Sequence, residues 1–155
     1  MGTDNGPWPD LAGRLDTDAS GRRHVLPIRV YFEDTDFSGL VYHGSYVRWC
    51  ERGRSDFLRL VGNDHKALID GSSGREPAAF VVRRMCLEFL KPARIDDVLE
   101  VVTRVRETGA ATLTLDQRVR RGATELFQAE VSVVLVSVSG KPLRLGEMLR
   151  RALAT

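Results

Sequence analysis

The densest chemistry in this sequence lies in one stretch, Asp34-Thr35-Asp36-Phe37-Ser38-Gly39-Leu40-Val41-Tyr42-His43. Two carboxylates are followed by a histidine, and a helix is expected to begin just beyond it. A helix N-terminus offers unpaired N–H donors and the positive end of its dipole, which can hold a developing oxyanion. A nearby carboxylate can attack an acyl carbon or deprotonate a water. The combination suits hydrolysis of an activated acyl group. On pattern alone a second reading stands beside it, with Asp34 and Asp36 capping a turn and His43 packed on Tyr42.

Other chemistries fit less well. D-T-D-F-S-G has the alternating oxygens and sixth-position Gly of a calcium loop. Its twelfth position, however, is Ser45 rather than Glu, and a strand rather than a helix precedes it. His24, His43 and His65 lack short metal-ligand spacing and Cys50 and Cys86 form no CxxC pair, so no metal site is assigned. No P-loop, dinucleotide-binding glycine pattern or G-x-S-x-G elbow occurs, and no cofactor is expected.

The elements that must position this loop follow from periodicity. Val25 to Glu33 alternates as a strand, with Ile28, Val30 and Phe32 on one face. From Ser45 to Val61 the period changes: Tyr46, Trp49, Cys50, Gly53, Phe57 and Leu60 line one face of a helix, with Ser45 as its N-cap. Gly53 in mid-helix costs about 1 kcal/mol relative to Ala, which makes sense if something presses closely on that face. A short helical turn is expected at His65 to Ile69. Four strands follow, at Ala79–Leu90, Val98–Arg106, Leu113–Arg120 and Phe127–Val138, and a short amphipathic helix over Leu145–Leu153 closes the chain. Short turns between those strands imply a largely antiparallel, α+β sheet of about five strands wrapped around the one long helix. Its uncovered edges point to a homo-oligomer, a dimer or tetramer.

The 155 residues suffice for one domain. We read residues 1–24, rich in Gly, Asp, Pro and Ser, as a flexible tail and 25–155 as the domain. Lys+Arg 23 against Asp+Glu 21 leaves +2, which implies no field for nucleic acid or a membrane surface. The longest apolar run falls far short of the roughly 20 residues needed for a span. No secretory signal is read at the N-terminus, and two cysteines suit a reducing compartment, so a cytoplasmic protein is expected. Cys50 and Cys86 are both read as small core residues.

The segment from Arg29 to Tyr46, RVYFEDTDFSGLVYHGSY, resembles the signature of hotdog-fold acyl-CoA thioesterases. The branch it resembles is associated with the Tol-Pal envelope system and related to 4-hydroxybenzoyl-CoA thioesterases. The similarity continues through Glu51-Arg52-Gly53-Arg54 and Leu87-Glu88-Phe89-Leu90-Lys91-Pro92-Ala93-Arg94, and covers roughly Leu26 to Leu153. The resemblance implies hydrolysis of acyl-CoA to free acid and coenzyme A, with coenzyme A present only as part of the substrate. It implies Asp36 as the catalytic carboxylate and His43 as an assisting side chain whose backbone N–H polarises the carbonyl. Asp34 is then structural, and Tyr42 and Tyr46 are wall residues of the substrate site. Phe37, Tyr42, Tyr46 and Trp49 suggest an apolar pocket. Arg83, Arg84, Lys91 and Arg94 are candidate contacts to the coenzyme A phosphates. Phe37-Ser38 departs from the small residues usual after D-T-D, and Gly44 from a common Ala or Pro. Two alternatives remain: hydrolysis of acyl groups carried on acyl carrier protein, and a non-catalytic acyl-binding or scaffolding module. A dehydratase on the same fold would be expected to carry its histidine on the helix, in a different motif.

Overall fold

A single long helix lies across one face of a six-stranded antiparallel sheet in the computed structural model, which describes residues 13–72 and 74–154. The elements run β1 (Arg14–Asp18), β2 (Gly21–Arg29), a 3-10 turn at Phe32–Asp34, α1 (His43–Leu60), α2 (His65–Asp70), β3 (Ala78–Phe89), β4 (Val98–Thr108), β5 (Thr112–Arg121), β6 (Thr124–Ser137) and α3 (Glu147–Ala154). The strand order across the sheet is β1-β2-β4-β5-β6-β3, so β1 and β3 form its two edges. This is the sheet-around-helix arrangement expected from the sequence, with one strand more.

The extra strand corrects the N-terminal boundary. Residues 14–24 belong to the sheet rather than to a tail: β1 pairs antiparallel with β2, Arg14 opposite Val25 and Asp18 opposite Gly21. Ion pairs from Arg23 to Asp16 at 2.6 Å and from Arg104 to Asp18 fix it there. Residues 1–12 lie outside the described residues.

The apolar stripe read on α1 is the buried one. Tyr46, Trp49, Cys50 and Phe57 are buried against Leu99, Val101, Leu115, Phe127 and other sheet residues. Burying Trp49 and Phe57 stabilises the fold by roughly 1.5–3 kcal/mol each. Gly53 sits where the helix comes nearest the sheet: a Cβ there would lie 2.9 Å from Val101 Cγ1. Beneath it, Gln117 donates to the Cys50 carbonyl and to Thr103 Oγ1, each at 2.9 Å, and accepts from Arg54 Nη1 at 2.9 Å.

Two expectations change. The helix begins at His43, capped by Tyr42 without a side-chain bond, rather than at Ser45. Cys50 is a core residue whose burial pushes its thiol up to about 12, but Cys86 is exposed on β3 because strand alternation turns it outward. Among the described residues no helix is long and apolar enough to cross a membrane.

Candidate active site

The loop between β2 and α1 is fastened at three levels. Val30 exchanges backbone bonds with Asp97 and Asp96, each at 2.9 Å, which anchors the end of β2 to the turn before β4. Asp34 is buried and used up structurally. Its Oδ2 accepts the Tyr31 N–H at 2.9 Å, and its carbonyl accepts the Tyr42 N–H at 2.8 Å and the Ser45 hydroxyl at 2.9 Å. Val41 N–H then donates to the Ala93 carbonyl at 2.9 Å, holding the helix entry against the loop after β3. The structural role expected for Asp34 is the one its bonds describe.

Asp36 opens a tight turn. Its carbonyl accepts the Gly39 N–H and its N–H donates to the Leu40 carbonyl, both at 3.0 Å. Gly39 has φ +80°, a conformation that favours a residue without Cβ. The Asp36 side chain is exposed, and its Oδ1 accepts the hydroxyl and the N–H of Ser38. Those two bonds, with the nearby His43 imidazole, hold its carboxyl below the usual range, so it is ionised at neutral pH.

The first turn of α1 completes the arrangement. Tyr42 supplies no side-chain cap, and among the described residues the His43 and Gly44 N–H groups have no hydrogen-bond acceptor. They are open donors at the positive end of an 18-residue helix. The His43 ring leans on Tyr42, with centroids 4.3 Å apart, and meets Phe89 edge-on at 6.3 Å. No hydrogen bond joins Asp36 to His43.

An open cleft of about 240 Å³ lies against this turn, lined by Leu40, Val41, His43, Tyr46, Phe89 and Lys91, with Leu90 and Pro92 at its side. Tyr46 is stacked on Phe127 at 5.1 Å and touches Phe89 at 5.8 Å, so the cleft floor is a packed aromatic cluster. Asp36 is not part of the lining. It is tied to the cleft through its backbone bond to Leu40, which is.

The structure sorts the sequence-based candidates. His43, Tyr46 and Lys91 line one cleft, Tyr42 packs at a tilt on His43 beside it, and the Arg94 backbone bridges to Leu40. Arg83 and Arg84 do not join them: they sit exposed in mid-β3 beside a register shift, roughly 20 and 17 Å along the strand from Phe89 at about 3.3 Å per residue. Phe37 is fully exposed at the loop tip and Trp49 is buried in the core, so neither lines the expected apolar pocket. Phe89 and Leu40 are lining residues that the sequence reading did not assign. Phe89 lies inside the second motif, and its neighbourhood to His43 depends on where β3 ends. Among the described residues no three His, Cys, Asp or Glu side chains gather as metal ligands would.

Comparison with known proteins identifies relatives of this chain. The sequence profile of the thioesterase superfamily matches residues 38–128. The chain is 43% identical over 111 residues to the acyl-CoA thioester hydrolase YbgC of Escherichia coli O6:H1, covering 71% of this chain and 79% of that protein. It is 36% identical over 113 residues to the acyl-CoA thioesterase YbgC of Haemophilus influenzae, covering 73% and 80%. Among solved structures, a probable thioesterase from Bartonella henselae superposes with a TM-score of 0.76 at 42% identity, covering 80% of this chain and 99% of that one.

Proposed function

This chain belongs to the thioesterase superfamily, and from that premise we propose that it hydrolyses acyl-CoA thioesters to the free acid and coenzyme A. The observation that carries the reading is the pair of open N–H donors at the start of α1, where His43 lines an apolar cleft and the ionised Asp36 is joined by a backbone bond to Leu40 in that lining. The thioester carbonyl oxygen sits at the His43 N–H, and negative charge that develops there is held by fixed dipoles. Asp36 acts on the carbonyl carbon, directly as nucleophile or through a water that it deprotonates. The C–S bond breaks and coenzyme A leaves as a thiolate. A thiolate is a good leaving group, so the proposed chemistry uses no metal and no strong general acid. Single-turnover hydrolysis in ¹⁸O-water tests direct attack, because water that adds at the Asp36 carbonyl of the mixed anhydride leaves one solvent oxygen in the Asp36 carboxylate, whereas a water deprotonated by Asp36 leaves none.

Lys91 and Arg94 are the cations best placed to meet the coenzyme A phosphates, since both stand at the cleft or on the loop beside it. The protein acts as a homo-oligomer. β3 is a 12-residue edge strand whose outer side has no neighbour in the sheet, and Val81, Val82, Leu87 and Phe89 are exposed along it. Two free thiols fit a cytoplasmic setting.

Turnover of a panel of short, long and aromatic acyl-CoA donors, with acyl carrier protein donors alongside, tests the reading. Hydrolysis of the coenzyme A esters is expected. Exclusive turnover of the carrier-protein esters would reassign the substrate, and no turnover of either would favour a non-catalytic acyl-binding module.

A further inference from the structure

Residues 90–97 join β3 to β4, yet those strands are not neighbours: β5 and β6 lie between them in the sheet. The loop therefore crosses the end of the sheet, about 14 Å at roughly 4.8 Å per strand spacing. On the way it supplies Leu90, Lys91 and Pro92 to the cleft at His43. It also holds the helix entry, since the Ala93 carbonyl accepts the Val41 N–H at 2.9 Å and Arg94 bridges to Leu40.

Backbone bonds fasten the two ends of this crossing. The Leu90 and Lys91 N–H groups donate to the Leu126 carbonyl at 2.8 and 3.1 Å, and the Asp96 N–H donates to the Val30 carbonyl at 2.9 Å. Between them the chain turns, closed by the Arg94 N–H on Asp97 Oδ2 at 3.0 Å. Asp96 stands at φ +66°, and among the described residues it is the only one other than glycine in the left-handed region. Such a conformation persists only where surrounding bonds over-determine it, and it clusters beside sites of function.

Among the described residues, two side chains of the sheet bond to the loop. Arg29 Nη1 reaches the Asp96 carbonyl at a long 3.4 Å. Arg121, the last residue of β5, donates from a single Nη1 to Asp97 Oδ2 at 3.0 Å and to the Pro92 carbonyl at 3.3 Å. One nitrogen thus ties a residue of the cleft wall to the turn that carries the strained Asp96. The charges of Arg121 and Asp97 also act on the hydroxyl of Tyr46, which lines the cleft. The pair adds little to stability, because the two side chains are 42% and 26% exposed and ion pairs in contact with water are weak. Its place behind the cleft wall is what distinguishes it.

We infer that Arg121 is a positioning residue for the hydrolysis proposed above: by bonding Pro92 and Asp97 it sets the crossing loop, and with it the cleft wall against the open N–H groups of α1. The inference rests on the hydrolytic reading of that cleft. With the loop loosened, a thioester still enters but its carbonyl sits off the His43 N–H. Lys91 and Arg94 keep their charges, so the loss falls on kcat more than on KM.

Steady-state kinetics of the full-length protein with butyryl-, palmitoyl- and benzoyl-CoA test this, with thermal unfolding alongside. Arg121→Met is expected to lower kcat about tenfold or more, to change KM less than about threefold and to lower Tm by less than about 4 °C. Arg121→Lys, whose ammonium can reach the same two oxygens, should restore kcat to within about threefold of native. Arg106→Met removes another exposed ion pair, to Glu130 at 2.8 Å, that touches no part of the loop, and should keep the native kcat. Native kcat in Arg121→Met, a loss carried by KM alone, no rescue by lysine, an equal loss in Arg106→Met, or a kcat loss that comes with a larger fall in Tm would each overturn the inference and leave the hydrolytic reading standing. No turnover of any of the three esters by the native protein would instead sink that reading, and this inference with it.

Discussion

The Ser45 hydroxyl donates to the Asp34 carbonyl at 2.9 Å, fastening the third residue of α1 to the carbonyl that the Tyr42 N–H already uses. This one bond couples the loop that carries Asp36 to the helix end that carries the open N–H groups. Ser45→Ala removes the donor but leaves Asp34 satisfied by Tyr42. The expected cost is about 1 kcal/mol, read by urea unfolding. Acyl-CoA turnover should lose kcat more than it gains KM, because alignment rather than binding is loosened.

Ser38 sets the acid side of the pH profile. Its hydroxyl and N–H bond the Asp36 carboxylate and lower its pKa from the ordinary 3.8. In Ser38→Ala the N–H remains and the hydroxyl is gone, so the carboxylate is less stabilised and its pKa rises. The acid limb of kcat/KM should therefore move to higher pH than in the native protein. A limb that stays in place, or moves down, contradicts the assignment of that limb to Asp36.

A buried pair ties the hairpin to the helix. His24, with no exposed surface, shares its Nε2 proton with Asp56 Oδ2 at 2.6 Å, and the same oxygen accepts the Gly13 N–H at 2.7 Å. The buried Nδ1 has no hydrogen-bond partner among the described residues. Burial lowers the His24 pKa below 6.5 in spite of Asp56. Burial alone would raise Asp56, but the bonds from Arg59, His24 and Gly13 outweigh it and lower its pKa. Both folded values lie below the unfolded ones, so the pair's contribution is fully present above about pH 6.5 and declines as pH falls below that, with Asp56 adding a further loss below about 3.8. Urea unfolding should show lower stability at pH 5 than at pH 7.5, and His24→Gln should flatten that slope.

Gly53 is expected to resist the substitution that helix propensity favours. Alanine gains about 1 kcal/mol over glycine in a free helix. Here its Cβ would lie 2.9 Å from Val101 Cγ1 and 3.2 Å from Thr103 Oγ1, within a fully buried layer. Overpacking of this kind costs about 1–3 kcal/mol, so Gly53→Ala should leave the protein equally or less stable in thermal unfolding. A clear rise in Tm would show that the helix does not press on the sheet there.

That glycine illustrates what was legible. Hydrophobic periodicity marks α1 and its buried face, and a mid-helix glycine announces a close approach without naming Val101. The β4-β5-β6 meander is readable because its strands are joined by short turns at Gly109 and Gly122, whereas β3 pairs with β6 rather than with β4, a placement that the order along the chain does not give. β1 was not readable: Arg14-Leu15-Asp16-Thr17-Asp18 has too few apolar positions, and it is held by Arg23 and Arg104, residues whose nearness only the sheet creates. The site divides in the same way. Asp36, His43 and the helix start are adjacent in sequence and can be read together. Arg83 and Arg84 stand near Lys91 in sequence, but strand spacing carries them away from the cleft. The direction of Phe37 depends on the turn at Gly39 and has no signal in periodicity.

The central claim, that an ionised carboxylate on this loop carries out the chemistry, is tested most directly by measuring kcat for acyl-CoA hydrolysis in Asp36→Asn. The side chain is exposed and the loop is fastened by Asp34, so the variant should fold as the native protein does. The account predicts a fall in kcat of about a hundredfold or more with circular dichroism unchanged. A folded Asp36→Asn that turns over acyl-CoA at the native rate would contradict it.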